Sequence, residues 1–110
     1  MLLLNKLEVK KLIGDEEIKY VYKLTQTELN QRPAYGITIE KVSMNGEEAI
    51  DIYKESIDII SPIRHKVEQL LNVLYKAEVS PVHLVDIIGE YVDECAVDFD
   101  GIEDATRNVI

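Results

Sequence analysis

The chain has 110 residues, with 12 lysines and arginines against 21 aspartates and glutamates, a formal net charge of −9. That length suits one core, and a content of 46% hydrophobic and 30% charged residues excludes a disordered or fibrous chain. A pI near 4.6 argues against direct binding to nucleic acid or to an anionic membrane.

The apolar run Leu2-Leu3-Leu4 is shorter than the core of a signal peptide, about 7–15 residues, and no window approaches the ~20 apolar residues of a membrane span. The expected location is the cytoplasm. Leu7 to Ile13 reads as a weak strand, and Gly14-Asp15-Glu16-Glu17 as a hairpin connection. In Ile18-Lys19-Tyr20-Val21-Tyr22-Lys23-Leu24-Thr25, large apolar residues hold the even positions, the period of a strand with one wet face. These two strands are expected to pair antiparallel.

Glu28 to Ala34 breaks the alternation, because Pro33 lacks a ladder donor and Asn30-Gln31 favours irregular backbone. Alternation resumes at Tyr35-Gly36-Ile37-Thr38-Ile39 and leads to Asn45-Gly46, expected as a type I′ turn. The return strand runs from about Glu48 to Tyr53, with Ile50 and Ile52 expected to face the core. Residues 54–60 fit either period, since Ile50, Tyr53, Ile57 and Ile60 also have helical spacing, but their β-branched content favours strand.

Ser61-Pro62 and Ser80-Pro81 each offer a capping oxygen followed by proline at the first helical position. Behind the first, Ile63, Val67, Leu70, Leu71 and Leu74 make one apolar stripe; behind the second, Leu84, Ile87, Ile88, Tyr91, Val92 and Cys95 make another. The short link between them predicts a helical hairpin. The fold expected is α+β: an antiparallel sheet of about four strands, then a two-helix hairpin packed on one face. Residues 1–95 form the single domain, and residues 96–110 an acidic carboxyl-terminal tail.

Charge is unevenly placed. Residues 1–85 hold 11 basic and 13 acidic side chains, whereas residues 86–110 hold eight acids against Arg107 alone. Asp93, Glu94, Asp98, Asp100, Glu103 and Asp104 are therefore the candidate protein-interaction residues, suited to a basic partner surface. The run Asp98-Phe99-Asp100-Gly101 fails the EF-hand register, because Gly101 at the sixth position would put Ala96 first and Arg107 twelfth.

Other chemistry finds no pattern. The five glycines are scattered, no phosphate loop, nucleophile elbow or paired-cysteine motif occurs, and His65 and His83 lie on different expected helices. A helix-turn-helix would present Asp86, Glu90, Asp93 and Glu94 to phosphates, which repel them. Tyr20, Tyr22 and Tyr35 share the parity of the apolar strand residues and are expected in the core. Cys95, the one cysteine, falls on an apolar stripe beside Asp93-Glu94 and lacks the cationic neighbour that activates a thiol. No catalytic residue, metal ligand or cofactor is assigned.

Tyr35-Gly36-Ile37-Thr38-Ile39-Glu40 and Val79-Ser80-Pro81-Val82-His83-Leu84-Val85-Asp86, joined through Ile59-Ile60-Ser61 and an amphipathic helix, resemble a family of short uncharacterised proteins from clostridia and related Firmicutes. The resemblance spans roughly residues 17–92. It implies a cytoplasmic bacterial protein with no active site to carry over, and nothing about the acidic extension after Val92.

The leading expectation is a non-catalytic interaction or regulatory module with a protein partner, with a homodimer through a sheet edge or a helix stripe as one form of it. The competing expectation is an acidic inhibitor or antitoxin-like protein acting through its carboxyl-terminal quarter. A third is a small enzyme using tyrosine, His83 and carboxylates in a cleft.

Overall fold

A computed structural model describes the backbone of residues 1–107 and, beyond Cys95, the side chains of Asp98 and Phe99. Four antiparallel strands, β1 (Leu2–Ile13), β2 (Glu16–Leu29), β3 (Arg32–Asn45) and β4 (Glu48–Ser61), pair in chain order. Helix α1 (Arg64–Lys76), a 3₁₀ turn (Pro81–His83) and helix α2 (Leu84–Arg107) follow. The fold is α+β, as the order of strand and helix patterns implies.

Each strand is longer than its clearest alternating segment, because tight turns carry the pairing to the tips. Asn30 (φ 53°) and Gln31 (φ 66°) both adopt left-handed backbone between paired Leu29 and Arg32, as a type I′ hairpin requires. The expected irregular break is thus a two-residue turn. Pro33 is tolerated beside it because β4 ends at Ser61, opposite Tyr35, so no strand needs the missing N–H. At the other tip the type I′ expectation fails by one residue. Asn45 pairs with Glu48, so the turn residues are Gly46 and Glu47, with only Gly46 at positive φ (65°). That is the pattern of a II′ turn, for which glycine at the first central position suffices.

Residues 54–60 are strand, which settles the ambiguous period. β4 departs from regular register between its pairs with Tyr35 and Ile37, where Asp58–Ile60 form an irregularity. A Cβ on Gly36 would collide with the carbonyl oxygens of Ile57 and Asp58. The irregularity lets Ile57 pack against the core and Ile60 lie buried within it, although strict alternation would put residues three apart on opposite faces.

The core lies on one face of the sheet. Ile18, Tyr20, Tyr22 and Leu24 of β2 and Ile37 and Ile39 of β3 meet Val67, Leu71 and Leu74 of α1, Val79 of the link, and Leu84, Ile88 and Cys95 of α2. The α1 stripe falls largely where its spacing predicts. In α2, Ile87 departs from the expected stripe, standing exposed while Leu84 and Ile88 are buried. At 3.6 residues per turn Leu84, Ile88 and Cys95 fall close together on one face, and Ile87 lies to the side of Leu84 away from the other two.

The helix starts also differ from expectation. Ser61 does not cap α1; its Oγ accepts the Ile63 N–H at 3.0 Å one turn earlier, and Ile63 is the N-cap. Pro62 keeps Ser61, the residue before it, out of the α region, and Ile63 is itself extended as the N-cap, so the helix begins at Arg64. Ser80 makes no side-chain capping bond, and Pro81 opens the 3₁₀ turn. α1 ends with Glu78 at φ 54°, Val79 N–H bonding the Leu74 carbonyl and Glu78 N–H that of Tyr75. This Schellman closure brings the buried side chains of Leu74 and Val79 together.

Candidate functional site

The face of the sheet away from the helices carries a polar band set by register. Lys6, Lys23, Thr38 and Ser56 lie in one row across the four strands, and Glu8, Val21, Glu40 and Lys54 in the next. Because alternation puts every second residue on this face, β2 serves both surfaces: Tyr22 and Leu24 enter the core while Val21, Lys23 and Thr25 look outward. Lys23 pairs with Glu40, Lys6 with Glu8 at 3.2 Å, and the Thr38 and Ser56 hydroxyls share a 2.7 Å hydrogen bond. The hydrogen bond from Lys6, with further help from Lys19, holds the Glu8 carboxyl below its ordinary range.

These rows floor an open cleft of about 400 Å³. Thr25, Thr38 and Ser56 supply hydroxyls, Lys23, Lys54, Glu40 and Asp58 supply charges of both signs, and Met1 and Leu3 form an apolar wall. Hydroxyls and balanced charges suit reversible polar contacts with a partner. His83 is exposed on its 3₁₀ turn and does not line this cleft. Among the described residues, no three His, Cys, Asp or Glu side chains gather as a metal-ligand set.

The cleft opens beside β4, an edge strand. Ile50 and Ile52, expected in the core, are instead 60% and 57% exposed. Ile52 pairs with Val42 on the open face, and Ile50 falls at the register shift between the pairs of Ser43 and Met44. Tyr53 and Ile59 are 46% and 39% exposed. The opposite edge, β1, carries Lys6, Lys10 and Lys11, and lysines along an edge discourage strand addition. β4 has one lysine in fourteen residues. Its outer backbone groups are the more available template.

The acidic candidates separate by position on α2. Asp93 and Glu94 are exposed. Asp98 turns inward: Lys66 Nζ donates to its two carboxylate oxygens at 2.9 and 3.1 Å, and Ser61 Oγ at 3.3 Å. The hydrogen bond from Lys66 raises the lysine's pKa in return. Asp98 thus ties α2 to the start of α1. Asp100, Glu103 and Asp104 have their backbone in α2, and their side chains lie outside the described residues.

Cys95 is buried, and burial pushes its thiol up in pKa, disfavouring the thiolate. Among the described residues, no helix is long and apolar enough to cross a membrane.

The sequence pointed to a sheet edge without saying which one and gave no sign of the cleft, although the outward parity of Thr25, Thr38, Lys54 and Ser56 was readable once the strands were placed. Which strand stands at an edge is a property of pairing order. A family model described as a family of unknown function, DUF6514, matches residues 1–94, from β1 into α2. No curated protein and no solved structure matches the chain.

Proposed function

The chain belongs to this family of unknown function, and from that premise we propose that it is a non-catalytic, cytoplasmic protein-interaction or regulatory module that engages its partner along β4 and the adjoining cleft. The observation that carries this reading is the fourteen-residue edge strand, with Ile52 and Tyr53 exposed beside unpaired backbone groups. Such an edge adds a partner strand through main-chain hydrogen bonds, and flanking side chains supply selectivity. The resemblance to short clostridial proteins supports a bacterial setting.

The exposed pair Asp93 and Glu94 on α2 supports the second reading, an acidic inhibitor or antitoxin-like protein that meets a basic target through its carboxyl-terminal quarter. Capture of partners on the immobilised chain separates the two. The edge reading expects Ile52→Lys to abolish capture and Asp93→Lys with Glu94→Lys to preserve it. The opposite pattern transfers the function to α2.

A further inference from the structure

Resting on the edge reading, we infer that the occupant of β4 is a second copy of the chain, paired antiparallel about a two-fold axis at Ser56. A two-fold interface must be self-complementary, since each residue meets the symmetry mate of its own partner. Antiparallel pairing also requires facing residues to lie on the same side of the sheet. Lys54, Ser56 and Asp58 meet that condition, because all three line the open-face cleft.

The charges of β4 select the register. Centring on Ser56 sets Lys54 opposite the second copy's Asp58, twice by symmetry, with Ser56 facing its mate. Centring on Lys54 or Glu55 places a like charge against itself, centring on Tyr53 sets Asp51 against Glu55, and centring on Ile57 pairs no opposite charges. Opposite charges across an antiparallel pair stabilise it, and like charges destabilise it.

The hydrogen-bond phase agrees. From the Leu29–Arg32 turn pair, alternate β3 residues bond toward β2, which leaves Ile37 and Ile39 to bond β4 at Ile57 and Glu55. Lys54 and Ser56 therefore point their N–H and C=O groups to the open edge, while Asp58, inside the irregularity with its carbonyl beside Gly36, meets Lys54 through its side chain alone. Pairing there yields one eight-stranded sheet with both helical layers on one side, and it joins the two clefts across the axis.

The test is light scattering on the full chain at physiological ionic strength, with circular dichroism to verify folding of each variant. The expected mass is twice 12.6 kDa. Lys54→Asp and Asp58→Lys each set like charges across the axis and should weaken the dimer at least several-fold, while the double exchange Lys54→Asp/Asp58→Lys restores it. In a Cys95→Ser background, Ser56→Cys should oxidise to a disulfide-linked dimer, because facing Cα atoms lie about 5.5 Å apart. A monomer at all concentrations, or a dimer indifferent to both single charge reversals, overturns the inference. A monomer that still captures another protein through β4 would leave the edge reading standing and remove only the second copy.

Discussion

The phenolic hydroxyl of Tyr22 donates a 2.9 Å hydrogen bond to the main-chain carbonyl of Val79, both residues buried. This contact fastens the middle of β2 to the link between the helices. The Tyr22 ring also meets Tyr75 edge-on at 5.9 Å, so one side chain orders the sheet, α1 and the start of the 3₁₀ turn together.

Tyr22→Phe keeps the ring and orphans the Val79 carbonyl, an expected loss of about 1–3 kcal/mol in chemical denaturation. The same residue governs alkaline stability. Burial raises its pKa well above the ordinary 10.0. Below pH 10 the hydroxyl is protonated folded or unfolded, and its contribution is complete. Above that value the unfolded chain releases the proton while the folded chain retains it, so stability falls as pH rises. Denaturation midpoints from pH 8 to 11 should decline less steeply in Tyr22→Phe than in the native chain.

The two apolar stripes make unequal contributions. Leu71→Ala opens a cavity in the buried α1 face and should cost about 2–5 kcal/mol. Ile87→Ala, on the exposed side of α2, should stay within about 0.5 kcal/mol of the native chain. A urea titration of both variants checks the contrast, and a comparable loss at Ile87 would place that residue in the core.

Gly36→Ala should be among the costliest small substitutions, about 3 kcal/mol, because the added methyl meets main-chain carbonyls of Ile57 and Asp58 that cannot rotate away. Thermal unfolding gives the magnitude, and faster amide exchange across the β3–β4 pairing near Ile57 would locate the damage.

Asp98→Asn removes the charge that holds Lys66 while keeping a polar group near Ser61. Amide exchange should accelerate in α2 beyond Cys95 and remain unchanged in β2 and β3. Uniform acceleration would show that Asp98 serves the whole fold and not the docking of α2.

Cys95, buried with a raised thiol pKa, should react with a thiol reagent at neutral pH at least tenfold more slowly in the native chain than in denaturant. Equal rates would place it at the surface.

The strand and helix patterns of this fold were legible because solvent imposes them locally. Ile18, Tyr20, Tyr22 and Leu24 announce a half-wet strand, and Val67, Leu71 and Leu74 a helix face, through spacing alone. The departures arise where a distant neighbour decides. Asn45-Gly46 carries the stronger turn signature, but pairing of Asn45 with Glu48 moves the turn to Gly46-Glu47. Ile87 fits the α2 stripe in period, and the position of α2 over the sheet leaves it outside. Among the acidic candidates, Asp98 differs from Asp93 and Glu94 only because Lys66 and Ser61 lie within reach.

By itself the sequence determined the class of fold, the order of its elements, the uneven placement of its charge and the burial of Tyr22 and Cys95, because each follows from local periodicity and composition. Only the tertiary structure decided that β4 stands at the open edge, that Gly36 must be glycine, and that Lys54, Ser56 and Asp58 share one cleft. Those relations depend on which strands pair and in what register, and pairing energy is summed over residues far apart in the chain.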